Sequence, residues 1–62
     1  MALMTIYRIY ILSTESRMVE AASVAVFEDD DAVIQHAMAL AQGREVEVRD
    51  ADRLVLRIPP SG

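Results

Sequence analysis

The sequence contains no cysteine, no lysine and no tryptophan, and only two glycines and two prolines. Without cysteine the chain can form neither a disulfide nor a thiolate metal site. The absence of lysine excludes Schiff-base catalysis and the phosphate-binding lysine of a P-loop. Every apolar run is far shorter than the roughly 20 residues that span a bilayer, so we expect no membrane-spanning segment.

The chain has 62 residues, which is enough for one small domain. We expect this domain to cover 1–62, with an ordered core over about 5–58 and loose ends at 1–4 and 59–62. The net charge of −4 disfavours non-specific binding to nucleic acid or to anionic membranes. The N-terminus lacks a basic segment followed by a long apolar stretch, so we expect no secretory signal and a cytoplasmic location. Because so short a chain buries little surface, self-association would add buried apolar area.

The densest β-branched and aromatic segment is TIYRIYIL at Thr5–Leu12, which is typical of a central strand. Its only charge is Arg8, so we expect the odd positions to face the core. These odd positions are Tyr7, Ile9 and Ile11. The polar residues 13–16 predict a hairpin loop built on a type I turn. A weaker edge strand is predicted over Arg17–Ala22, and Ser23–Phe27 either extends it or leads into a helix.

An acidic run, Glu28–Asp31, precedes the clearest helical pattern in the chain. Asp29 or Asp30 is the expected N-cap, and the other carboxylates suit the positive end of the helix dipole. Gly43 is a natural terminator, so the helix is predicted from about Asp30 to Gln42. Its apolar stripe consists of Val33, Ile34, Ala37, Leu40 and Ala41.

Two segments with alternating apolar residues, Glu45–Arg49 and Arg53–Ile58, predict a second hairpin. We expect a three-residue loop, Asp50–Asp52, which sets Val48 opposite Leu54. The core face of this hairpin would then comprise Val46, Val48, Leu54 and Leu56. A two-residue loop is the alternative, and it would turn three large aliphatic side chains outward.

The predicted fold class is therefore α+β, with the element order β-β-α-β-β. One helix would pack on one face of a four-stranded antiparallel sheet. The strand order 2-1-3-4 keeps the Thr5–Leu12 strand central, and 2-1-4-3 is the alternative.

This pattern resembles a group of small proteins of alphaproteobacteria, rhizobia especially. The shared features are the Tyr7–Leu12 strand (YRIYIL), the Asp29-Asp30 pair before an Ala-rich helix, the Val46–Val48 strand (VEV), a short acidic turn, and the Arg53–Ile58 strand. The resemblance covers nearly the whole chain and implies a bacterial protein. It implies no site residue, because the group has no assigned activity.

The chain departs from this group at two positions. Members often carry Trp where Arg49 stands and Gly where Ala51 stands. A glycine at the second position favours a two-residue turn.

No constellation in the sequence supports catalysis or a cofactor. His36 is the only histidine, and no serine lies in a nucleophile-elbow motif. The run Glu28–Asp31 lacks the alternating ligands and the bend glycine of a calcium loop, so we interpret it as a solvated helix start. We therefore expect no catalytic residue, no metal and no cofactor, and we interpret the protein as non-enzymatic.

Arginines are concentrated in the last third of the chain, but they do not form a basic patch. Four arginines there are matched by four carboxylates, so the local net charge is zero. In the expected register Glu45 faces Arg57, which predicts cross-strand ion pairs rather than a phosphate-binding surface. We expect no nucleic-acid partner.

The sheet face away from the helix is the best functional clue. An apolar centre rimmed by charge is typical of a protein interface. The candidate interface residues are Ile6, Arg8, Tyr10, Leu12, Met18 and Val55. The predicted function is a protein-interaction module that forms a homodimer through this face or through an edge strand. The alternatives are scattered surface hydrophobes without a role, and a small regulatory or antitoxin-like subunit that binds another protein or a small ligand.

Overall fold

The computed structural model describes residues 4–13, 15 and 18–61, and its elements follow the order β-β-α-β-β. The elements are β1 (Thr5–Leu12), β2 (Val19–Phe27), α1 (Asp30–Ala41), β3 (Glu45–Asp50) and β4 (Arg53–Ile58). All strand pairs are antiparallel, and the sheet order is β2-β1-β3-β4. The predicted α+β fold and the favoured strand order are confirmed. Within the described residues, no helix is both long and apolar enough to cross a membrane.

The core lies between α1 and one face of the sheet. Tyr7 and Ile9, at odd positions of β1, are buried as predicted, and Ile11 packs against them at the margin. Because side chains alternate along a strand, the even positions of β1 must face away from the helix. The buried residues of this core are Tyr7, Ile9, Val33, Ala37, Ala41, Val46 and Val48.

Both ends of α1 are capped by side chains close to it in sequence. The Asp29 Oδ1 accepts a hydrogen bond of 2.9 Å from the Ala32 N–H, so Asp29 is the N-cap. The helix ends at Ala41, one residue earlier than predicted, because Gln42 already adopts a left-handed φ of 47°. The Arg44 guanidinium donates to the Leu40 and Ala41 carbonyls, which have no partner inside the helix.

The hairpin of β3 and β4 corrects the predicted register. Asp50 faces Arg53, so the loop has two residues instead of the predicted three. Ala51 takes a positive φ of 54°, and this conformation permits the tighter turn.

An irregularity beside Val48 then shifts the ladder by one residue. Val48 faces Leu56 and Arg49 faces Leu54, which leaves Val55 as the extra residue of a bulge. The bulge returns Leu56 to the core side, whereas the predicted pairing of Val48 with Leu54 is wrong.

β2 is longer than the predicted strand Arg17–Ala22, because it also includes the whole of Ser23–Phe27. It begins at Val19. At the hairpin end the Ser13 N–H donates to the Met18 carbonyl at 2.9 Å. Thr14 and Ser16 of the predicted type I turn, and Arg17 of the predicted strand, lie outside the described residues. In the C-terminal tail the Ser61 N–H donates to the Gly43 carbonyl at 3.0 Å.

Candidate interaction surface

The sheet face opposite α1 is the candidate surface, and we call it the open face. Residues that lie directly opposite each other in an antiparallel pair project to the same side. The register of the sheet therefore assigns the members of the open face from the even positions of β1. These members are Ile6, Arg8, Tyr10 and Leu12 of β1, Val19, Ala22, Val24 and Val26 of β2, Glu45, Glu47 and Arg49 of β3, and Leu54 and Arg57 of β4.

Five large aliphatic side chains of the open face are exposed. Their exposed fractions are 62% for Ile6, 57% for Val19, 66% for Val24, 50% for Val26 and 48% for Leu54. Ile6 and Val26 face each other across the β1–β2 pair, and Val24 lies in the next row beside Arg8. These exposed aliphatic side chains lie on three of the four strands. A partner that covers them would remove their apolar area from water, which favours binding.

Four of the six predicted interface residues lie on the open face, and Met18 lies beside it. Ile6 and Arg8 are exposed on the open face, and Tyr10 and Leu12 are half-buried there. Met18 is 69% exposed but lies just before β2, at the hairpin end of the sheet.

Val55 does not belong to the predicted surface. It is half-buried and packs against the core, because the bulge in β4 changes the side to which it projects. Leu54 takes its place on the open face, opposite Arg49.

The charges of the open face are arranged around two neighbouring arginines. Arg8 and Arg49 face each other across the β1–β3 pair. The Arg49 Nε lies 2.6 Å from the Glu47 Oε2, and this hydrogen bond raises the pKa of the Arg49 guanidinium. No carboxylate of the described residues forms an ion pair with Arg8. Arg8 is therefore the cation on this face that a partner's carboxylate could bind.

One end of the open face is closed by a partly buried ion pair. Glu45 faces Leu12 and is only 2% exposed, and the Arg57 Nη2 lies 2.9 Å from its Oε2. The contact between Glu45 and Arg57 was predicted from the sequence, although in the observed register Arg57 faces Glu47. The burial of Glu45 was not predicted, and nothing in its alternating EVEV setting distinguishes it from Glu47.

A second polar network lies at the start of α1 and ties the helix to the sheet. The Tyr7 hydroxyl donates to the Asp30 Oδ1 at 2.8 Å, and Arg53 binds both carboxylate oxygens of Asp30 at 3.0 and 3.1 Å. Arg53 also reaches Asp50 at 3.1 Å. The hydrogen bonds from Arg53 and from Tyr7 lower the pKa of Asp30, while burial raises the pKa of Tyr7. These hydrogen bonds connect the start of α1 to β1 and to the β3–β4 hairpin.

His36, the only histidine of the chain, lies beside the aromatic side chains of the sheet. The His36 ring lies 5.2 Å from the Phe27 ring, and Phe27 in turn lies 6.3 Å from Tyr7. Among the described residues, no three side chains of His, Asp or Glu are placed to hold a metal ion.

Four exposed aliphatic members of the open face are missing from the predicted interface residues. Val19 pairs beyond the irregularity between Ile11 and Leu12, which changes the side to which it projects. Val24 and Val26 lie in Ser23–Phe27, which the sequence assigns either to the second strand or to a lead-in to the helix, although their alternation with Ser23 and Ala25 is the available signal. Leu54 was placed in the core because a single-residue bulge in β4 leaves no mark in the pattern of the sequence.

No protein-family model, curated protein or solved structure matches this chain. The resemblance to small alphaproteobacterial proteins therefore stays a prediction.

Proposed function

We propose that this chain is a non-enzymatic protein-interaction module that associates with a second copy of itself through the open face. The observation that carries this proposal is the group of exposed aliphatic side chains on that face: Ile6, Val19, Val24, Val26 and Leu54. α1 covers the opposite face of the same sheet except along most of β2, whereas no element of the described residues covers the open face. A cytoplasmic location is part of the proposal and rests on the sequence.

The size of the open face suits a small interface. Four strands about 4.8 Å apart and six residues of about 3.3 Å give a flat footprint of roughly 400 Å². Side-chain relief increases the accessible area above this footprint, and stable interfaces bury about 800 Å² of accessible area per partner. The accessible area that the open face can bury thus approaches the lower end of the range found for stable, specific interfaces.

The charges of the open face also favour a second copy as the partner. Arg8 has no ion pair within the described residues, whereas the same chain carries exposed carboxylates at Glu20 and Asp52. In a two-fold arrangement each copy presents the same patch, so a contact from Arg8 to a carboxylate would occur twice. The exposed aliphatic residues supply area, and Arg8 supplies orientation.

The test is the substitution Ile6→Lys, with Met38→Lys as its matched control. Met38 lies on the outer side of α1 and is 63% exposed, nearly the same as the 62% of Ile6. Each variant changes the net charge from −4 to −3, so general charge repulsion decreases equally in both. Only Ile6→Lys would place a cation in the proposed interface, beside Arg8.

We expect sedimentation velocity at high micromolar concentration to show a lower mass for Ile6→Lys and the wild-type mass for Met38→Lys. Burial of one isoleucine side chain contributes about 1.5 kcal/mol at this degree of exposure. A two-fold interface loses this contribution twice, so dissociation should be favoured by roughly a hundredfold. Circular dichroism would verify that both variants keep the fold.

Two results would contradict the proposal. A wild-type chain that stays monomeric at high micromolar concentration has no self-association to explain. If the Ile6→Lys and Met38→Lys variants associate equally, the contact lies elsewhere on the molecule. Co-purification of the native protein with a stoichiometric foreign protein would instead favour the regulatory-subunit alternative.

A further inference from the structure

The strand β2 forms one edge of the sheet and lacks the features that usually protect an edge. In the described part of the chain it pairs only with β1. Over Ala21–Phe27 the ladder with β1 is regular, and the segment contains no charge and no proline. Glu20 is the only charged residue of this nine-residue strand. A long, uncharged edge presents unpaired backbone N–H and C=O groups to any strand that approaches it.

The opposite edge, β4, is protected in several ways. It carries Arg53 and Arg57, both held in ion pairs, and it is interrupted by the bulge at Val55. It is followed directly by Pro59-Pro60, which cannot continue a ladder. The two edges of one small sheet therefore differ, and only the β2 edge is open to pairing.

The first six residues of β2, Val19–Val24, are exposed on both faces of the sheet as well as along its edge. The helix reaches only the end of this strand, where Ala25 and Phe27 pack against the core. Side chains in the middle of β2 are small (Ala21, Ala22 and Ser23), so another strand can approach without a steric obstacle. Most of β2 is thus hydrogen-bonded to β1 but not covered by the helix.

We propose that two copies of this chain pair antiparallel through their β2 edges, forming one continuous eight-stranded sheet. The inference rests on the proposed self-association and adds a second interface to it. A two-fold axis at Ser23 sets Ala21 opposite the second copy's Ala25 and sets Glu20 opposite its Val26. In this register no like charges face each other, and the small middle residues lie together.

Edge pairing has a consequence for the open face. A two-fold axis perpendicular to the sheet leaves both open faces on the same side, so the apolar surface doubles in area and stays continuous. Two such sheets can then stack through their open faces, which gives an assembly of four chains with two distinct interfaces. The small footprint of a single open face is consistent with a need for the second contact.

The deciding experiment combines mass measurement with two substitutions on the full chain. Ser23→Lys places a cation at the proposed two-fold axis, where it meets its own copy. Ser23 faces the helix side of the sheet, opposite Ile9, so this change does not touch the open face. Ser23→Thr is the matched control, because it stays neutral and suits a strand.

We expect sedimentation to give four chains for the wild type and for Ser23→Thr. We expect two chains for Ser23→Lys and two for Ile6→Lys, since each removes one interface, and one chain for the double variant. Failure of one proposal is distinguishable from failure of the other. If Ser23→Lys keeps the wild-type mass, edge pairing is wrong. If Ile6→Lys alone keeps it, the open-face contact is wrong.

Amide hydrogen exchange of the wild-type chain gives an independent readout of the same edge. Along β2, every second N–H points away from β1 and is free in an isolated chain. We expect these amides of Ala21–Phe27 to exchange at least tenfold more slowly at high concentration than at low concentration, while the β4 edge amides do not change. Edge pairing would be overturned if these amides exchange equally fast at a low concentration, where sedimentation shows single chains, and at a high concentration, where it shows association.

Discussion

Replacing Ala51 with glycine should stabilise the protein, because Ala51 has a backbone conformation that suits glycine better. Its φ is 54°, and it is the first of two loop residues between β3 and β4. An L-residue in the left-handed region costs about 1–2 kcal/mol relative to right-handed conformations. Ala51 is exposed, so the substitution removes no packing in the core.

The expected size follows from two opposing contributions. Glycine relieves the left-handed strain, but its greater freedom in the unfolded chain costs about 0.5–1 kcal/mol. The net gain in the free energy of unfolding should be about 0.5–1 kcal/mol. For a domain of this size that gain corresponds to a rise in Tm of about 2–8 °C.

The assay is urea unfolding followed by far-ultraviolet circular dichroism, with Ala39→Gly as the control. Ala39 is exposed within α1 and does not have a positive φ, so the same chemical change there should cost about 1 kcal/mol. The slope of the transition should be equal in both variants. If Ala51→Gly lowers the midpoint as Ala39→Gly does, the left-handed turn at Ala51 is wrong.

Two further predictions concern the core and the network at the start of α1. Ile9→Val should lower the free energy of unfolding by about 1 kcal/mol, because Ile9 is 1% exposed. The same change at Ile6, in the same strand but exposed, should have less than about half that effect when measured on dissociated chains; equal effects would contradict the assignment of the two faces. The hydrogen bonds from Arg53 and Tyr7 lower the pKa of Asp30 in the folded state, so its ionised form stabilises the fold above the unfolded pKa of about 3.9, and this stability is lost as pH falls through the lower folded value. The stability difference between wild type and Asp30→Asn should therefore shrink below about pH 4, and a difference that stays constant with pH would refute the network.

The order and type of the elements followed from local patterns. The β-branched run of β1, the acidic start of α1 and the alternation in β3 and β4 each have a period that belongs to one kind of structure. The start of the helix was readable to within one residue, Asp29 or Asp30, because an N-cap requires a short acceptor side chain, and the structure selects Asp29. Within the candidate surface, the same alternation placed Ile6, Arg8 and Tyr10 away from the core.

The register of the second hairpin was not readable in the same way. Both loop lengths are compatible with the residues of this segment, and the bulge at Val55 lets a two-residue loop coexist with Leu56 in the core. The choice between them depends on how well Leu56 and Ile58 pack under α1, which is a contact between distant parts of the chain. For this reason Leu54 lies on the open face, where Val55 was predicted, and Val55 packs against the core, where Leu54 was predicted.

The sequence by itself determined the strands, the helix, and the alternation that separates a buried face from an exposed one, because these depend on neighbouring residues. Only the tertiary structure decided which aliphatic side chains meet on the open face, because the pairing of Leu54 with Arg49 depends on a bulge of one residue in β4. The sequence favoured the strand order 2-1-3-4 but left 2-1-4-3 open, and the order that forms is the favoured one. Burial of the sheet against the helix is a contact between distant segments, so no local pattern decides between the two orders.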